Sequence, residues 1–154
     1  MNFSLLEQFT AETLNTPSPK ADASALKAFM ADLMKITKVN PFDERFLYKE
    51  IQTNDGTEGY ALMQIYPFDG RIHVASVEIT PQEARGKGAA RKVMDELLNL
   101  ADKHDVSLDL DVKPFGKGGL SKKQLADFYT RLGFNKVKGS GGTMIRPSMT
   151  DYAV

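Results

Sequence analysis

Apolar and polar positions recur along this chain with two periods, and the changes of period mark its elements. From Asp22 to Thr37, Leu26, Phe29, Met30, Leu33 and Met34 fall on one helical side, with Asp22 placed as the N-cap. Phe46–Thr53 reads as a strand, and Asn54-Asp55-Gly56 as a hairpin turn into the strand Glu58–Tyr66. Phe68-Asp69-Gly70 is the next turn, and Arg71–Thr80 the next strand. Ala89–Lys103 is helical, with Ala90, Val93, Met94, Leu97, Leu98 and Ala101 apolar. In Ser107–Val112, Leu108, Leu110 and Val112 alternate against Asp109 and Asp111, which predicts a strand with the two acids facing out. Leu125, Phe128, Tyr129 and Leu132 share a helical face. Ser121 and Gln124 form a capping box before it, and Gly133 sits where a left-handed cap ends it. Short strands near Asn135–Lys138 and Thr143–Arg146 complete the pattern. Phe3 to about Thr13 is a further short helix, stopped by Asn15-Thr16-Pro17-Ser18-Pro19.

One strand breaks its own rhythm. Ile72 and Val74 are apolar on one phase of Arg71–Thr80, and Ala75, Val77 and Ile79 on the other. A regular strand keeps one phase, because its side chains alternate with period two. Burial of both faces would give this pattern, and so would a β-bulge, which inserts one residue and slips the phase. The pattern alone leaves both readings open; a bulge would fall within Val74–Val77.

Composition narrows the class without naming a function. The 154 residues suit a single domain with one core, residues 1–20 forming an N-terminal arm. A hydrophobic content of 42% and a charged content of 26% are ordinary for a globular protein. Twenty basic residues balance twenty acidic ones, which argues against a dedicated nucleic-acid binder. The chain has no Cys, hence no disulfide, thiol nucleophile or Cys-metal site. With no long apolar run and no signal pattern at the start, a cytoplasmic protein without membrane contact is the expectation.

The candidate chemistry lies in Arg85-Gly86-Lys87-Gly88-Ala89-Ala90, between the slipped strand and a helix. The first N–H groups of a helix have no internal partners and carry the positive end of its dipole, so this turn is suited to an anion. A Walker A loop would need Lys and Ser or Thr after its last Gly, and Ala89 stands there. A dinucleotide fingerprint would need a third Gly where Arg91 stands. The pattern Arg/Gln-x-x-Gly-x-Gly/Ala is filled by Arg85, Gly88 and Ala90. It is the acyl-CoA pyrophosphate loop of the GNAT superfamily of N-acyltransferases, which this chain resembles. Asp127-Phe128-Tyr129-Thr130-Arg131-Leu132-Gly133-Phe134, some forty residues on, resembles the second signature of that family.

The resemblance covers roughly residues 46–147. It implies the GNAT fold, an α/β (α+β) architecture with a mixed central sheet of about six strands, a bulge in the strand at 71–80 and helices on both faces. It implies transfer of an acetyl group from acetyl-CoA to a primary amine by direct attack, with no metal. Pantetheine would lie along the backbone of Val77, Glu78 and Ile79. The pyrophosphate would meet the N–H groups from Gly86 through Lys87, Gly88 and Ala89 to Ala90, with Arg85, Lys87 and Arg91 adding charge and Lys122 or Lys123 reaching the 3′-phosphate. Tyr129 matches the family's thiolate-protonating Tyr. For the base that deprotonates the amine, Glu78 leads and His73 is second. Asp109 and Asp111 alternate outward on the neighbouring strand, where they either attract a cationic acceptor, a small molecule or a protein, or simply form a solvated strand face. A homodimer stays open, dimers being the commonest assembly of soluble homo-oligomers. The alternative is a catalytically inactive CoA-binding or protein-interaction module of the same fold.

The chain also departs from the family pattern. Pro81 stands four residues before Arg85 rather than three, which adds a residue at the loop entry. Lys113-Pro114-Phe115-Gly116-Lys117-Gly118-Gly119-Leu120 replaces a segment that carries Asn in many members. No first strand is evident in residues 38–45.

Overall fold

The computed structural model describes residues 21–113 and 120–148. The expected helix at Phe3–Thr13 and most of the Lys113–Leu120 loop lie outside them. Helix α1 (Ala23–Ile36) starts where Asp22 accepts a hydrogen bond from the Ala25 N–H, 2.9 Å away, as an N-cap should. It buries Phe29 and Leu33 and packs on helix α2 (Ala89–His104), whose Val93, Met94, Leu97, Leu98 and Ala101 are buried. Each large apolar side chain so buried contributes roughly 1.5–3 kcal/mol. Asp32 of α1 ties the pair together, reaching Lys103 at 2.7 Å and His104 at 2.8 Å near the end of α2.

Seven strands form one sheet in the order β1-β2-β3-β4-β5-β7-β6, one strand more than expected. They are β1 (Lys38–Val39), β2 (Leu47–Gln52), β3 (Glu58–Phe68), β4 (Arg71–Thr80), β5 (Leu108–Asp111), β6 (Asn135–Lys136) and β7 (Thr143–Arg146). The additional strand is β1, an exposed two-residue edge paired with β2. All pairs are antiparallel except β4 with β5. Strand β3 runs on through Phe68, two residues beyond the expected end at Tyr66. The turn is Asp69-Gly70 alone, both residues at positive φ (53° and 76°), a geometry whose twist suits a two-residue hairpin.

One face of the sheet carries the apolar core. Ala61, Met63 and Ile65 of β3, Ile72, Val74 and Ile79 of β4, and Leu108 and Leu110 of β5 are buried in the same core as α1 and α2. The alternate residues Tyr60, Gln64, Glu78 and Asp111 stay partly or fully exposed. Helix α3 (Lys122–Arg131) begins at the expected capping box: the Gln124 N–H donates to Ser121 Oγ and the Ser121 N–H to Gln124 Oε1. It ends at Gly133, where φ is 98°.

Candidate functional site

The bulge falls where the phase slip put it. Val74 pairs with Ile65 and Ser76 with Gln64, so Ala75 has no counterpart on β3. On the opposite edge β4 meets β5 only at Ile72↔Leu108 and His73↔Asp109. The parallel ladder thus ends just before the bulge. A bulge bends its strand and adds local twist, and a short straight neighbour does not follow. Beyond Ala75 the two strands part. Val77 and Ile79, two residues apart on the parted stretch, present their backbone groups to the same side.

Strand β4 then leads into the glycine turn. A single 3₁₀ turn, Gln82–Ala84, takes up the residues between Pro81 and Arg85. Gly86 and Gly88 have φ of 75° and 83°, a region costly for any residue with a Cβ. Gly88 is the N-cap of α2 and supplies no side-chain cap, and the first turn carries no acid. The Lys92 N–H is the first to reach back, to the Gly88 carbonyl at 3.2 Å. The N–H groups of Ala89, Ala90 and Arg91 therefore point out of the helix with its positive dipole end behind them.

The cations of the turn have protein partners. Arg85 folds back on β4, with Nε donating to the Ile79 carbonyl at 2.8 Å and Nη2 to Glu78 at 3.2 Å. Lys87 reaches Asp55 at 2.9 Å and Thr57 Oγ1 at 3.2 Å in the β2–β3 turn. The Asn54 N–H donates to the Lys87 carbonyl, and the Asn54 amide lies so close to Gly88 that a Cβ there would collide with it. Hydrogen bonds from Thr53, Thr57 and Lys87 hold the Asp55 carboxyl below the usual carboxylate range. Arg91 pairs with Asp95 one helical turn on. Lys122 donates to the Gly141 carbonyl, and Lys123 pairs with Asp127. What the turn offers an anion is first its backbone, and only then its side chains.

The proton-transfer candidates differ in setting. Tyr129 is partly buried, edge-on to both Phe128 and Phe134, with centroids 5.3 and 5.6 Å away. Burial pushes its phenol above the usual value near 10, so it stands as a neutral O–H donor. Glu78 is half-exposed and held by Arg85. His73 contacts Asp109 across the parallel pair, Nδ1 to Oδ1 at 2.6 Å, both side chains largely covered. The sequence placed both residues but not their contact, which depends on strand register between positions 36 apart. The junction between the β2–β3 turn and the glycine turn was likewise beyond reach, since no periodicity links Asp55 to Lys87.

No family model and no curated protein matches the chain. Solved structures do. The anti-CRISPR protein AcrVA5 aligns over 64% of this chain and 96% of its own, at 18% identity and a TM-score of 0.47. A histone acetyltransferase HPA2 and related acetyltransferase from Corynebacterium glutamicum aligns over 90% and 82%, at 16% identity and 0.46. Naa20 of Chaetomium thermophilum, solved with a bisubstrate analogue, aligns over 96% and 84%, at 16% identity and 0.45. In its order of elements, its bulged β4 and the parting of β4 from its parallel neighbour, the chain has a GNAT-like fold.

Proposed function

We propose that this protein transfers an acetyl group from acetyl-CoA to a primary amine. The observation that carries the reading is the succession along one segment of a bulge at Ala75, a strand that leaves its neighbour, and a two-glycine turn at a helix N-terminus. A pantetheine arm needs an open strand edge, a pyrophosphate needs unpartnered N–H groups beyond it, and both occur here in the required order. In this reading Val77 and Ile79 hold the arm through their backbone. Gly86 to Arg91 hold the pyrophosphate, while Arg85 and Lys87 keep the turn in shape and lend it charge. Bound acetyl-CoA supplies an activated thioester, so the amine attacks directly and no enzyme nucleophile is needed. Tyr129 protonates the departing sulfur.

A second reading is a CoA-binding or interaction module without catalysis. It is favoured by the pairing of Glu78 with Arg85, which engages the leading candidate base. A thiol-release assay over a panel of primary amines and basic peptides separates the two. An acetyltransferase releases free CoA with at least one acceptor, and Tyr129→Phe slows that release. A protein that binds acetyl-CoA yet releases no thiol with any acceptor belongs to the second reading.

A further inference from the structure

We propose that His73 and Asp109 form the base that deprotonates the amine acceptor, in place of Glu78. The inference rests on the acetyltransferase reading and deepens it. His73 and Asp109 are the last rung shared by β4 and β5, two residues before the bulge. They stand at the apex of the gap, on the same sheet face as Ser76 just past the bulge. Asp109 is 15% exposed at its side chain and His73 20%, so the 2.6 Å contact is largely shielded from water while part of the ring stays exposed.

The contact fixes a tautomer. An ionised carboxylate only accepts, so Nδ1 carries the proton, and in the neutral ring Nε2 is left with the lone pair. Among the described residues Nε2 has no hydrogen-bond partner. Tyr66, paired with His73 across β3–β4, lies against the ring with centroids 5.3 Å apart and limits its rotation. The other charged groups nearby are Arg71 on β4, beside Asp69, and Asp111 on β5, which accepts from Thr143. Of these charged groups only Asp109 contacts the ring. Glu78, by contrast, neutralises Arg85, whose Nε fixes the Ile79 carbonyl.

The proton balance closes. His73 Nε2 takes one proton from the incoming ammonium, and the freed nitrogen pair forms the C–N bond. The C–S bond breaks, its electron pair leaves on sulfur, and the sulfur takes the Tyr129 proton. The second surplus N–H proton restores the phenol through solvent, and His73 releases its own to water. Asp109 is a positioning residue: it holds the tautomer and stabilises the imidazolium.

The test is the pH dependence of kcat/KM for the amine, measured beside acetyl-CoA affinity by calorimetry, for the wild type, His73→Gln and Asp109→Asn. The wild type shows an acid limb, because the base must be unprotonated to take the ammonium's proton. His73→Gln binds acetyl-CoA normally, loses about a hundredfold in kcat and loses that limb. Asp109→Asn, nearly isosteric, removes the carboxylate charge that stabilises the imidazolium. It cuts kcat about tenfold or more and displaces the limb, and it carries the test if His73→Gln does not fold. An active wild type whose limb survives both substitutions, or vanishes only in Glu78→Gln, overturns the dyad alone. A wild type that binds no acetyl-CoA overturns the acetyltransferase reading and the dyad with it.

Discussion

Strand β4 is held differently along its two edges. Against β3 it is paired from Arg71 to Thr80, interrupted only by Ala75. Against β5 it is paired at Ile72 and His73 and then released. The same ten residues thus serve as a core strand on one side and as an open strand edge on the other. Open edges inside a sheet are costly, because each unpaired N–H and C=O lacks a partner. Proteins remove such edges unless something else pairs with them. The closed edge accounts for the fold, and the open one is where the proposed acyl-CoA would pair.

Deleting Ala75 breaks this comparison most directly. The remaining residues alternate regularly, with Val74 inward, Ser76 outward, Val77 inward, Glu78 outward and Ile79 inward. The closed edge therefore survives and the protein still unfolds cooperatively. The open edge is lost: acetyl-CoA binding weakens by at least about a thousandfold, ~4 kcal/mol, and hydrogen exchange at residues 76–79 slows. Retained affinity together with unchanged exchange would refute the role given to the bulge.

Tyr129→Phe leaves both edges in place and removes one proton. It lowers kcat by about a hundredfold while Tm and acetyl-CoA affinity stay at wild-type values. An unchanged kcat, with chemistry rate-limiting, would remove Tyr129 from the mechanism. Gly88→Val acts at the far end of the open edge. A branched side chain at φ 83° meets Asn54 and strains the turn, and affinity for acetyl-CoA falls about thirtyfold, ~2 kcal/mol. Wild-type binding by this variant would mean that the turn does not contact the ligand.

Asp32 gives the smallest effect and belongs to the closed side of the molecule. Hydrogen bonds from Lys103, His104 and Lys35 hold its carboxyl well below the usual carboxylate range. A carboxyl lowered in this way stabilises the fold above its unfolded pKa of about 3.9 and stops doing so as pH falls toward the folded value. Asp32→Asn lowers Tm by a few degrees at neutral pH, and the difference from wild type shrinks below pH 4. A difference that grows on acidification would refute the assignment.

Much of the closed side was legible because its signals are local. The Asp22 cap, the Ser121–Gln124 box, Gly133 and the bounds of Arg71–Thr80 each depend on neighbours within four residues or on a simple period. Even the bulge left a local trace, since inserting Ala75 moves Val77 and Ile79 to the other phase. Strand β1 left none: two exposed residues before Pro41 show no alternation. The candidate site was legible as backbone and poorly legible as side chains. Glycines at 86 and 88 announce a turn. The return of Arg85 onto Ile79, the tie of Lys87 to Asp55 and the contact of His73 with Asp109 are set by how distant elements pack. The resemblance has Arg85 and Lys87 adding charge beside the phosphate, and the structure gives each a carboxylate partner as well.

Calorimetric titration of acetyl-CoA into the wild-type protein tests the open edge most directly. The expected result is one site per chain, with a dissociation constant in the range of about 1–100 μM, competed by free CoA and absent when Ala75 is deleted. No heat of binding at millimolar ligand, from a protein that unfolds cooperatively, would mean that the gap between β4 and β5 holds no acyl-CoA.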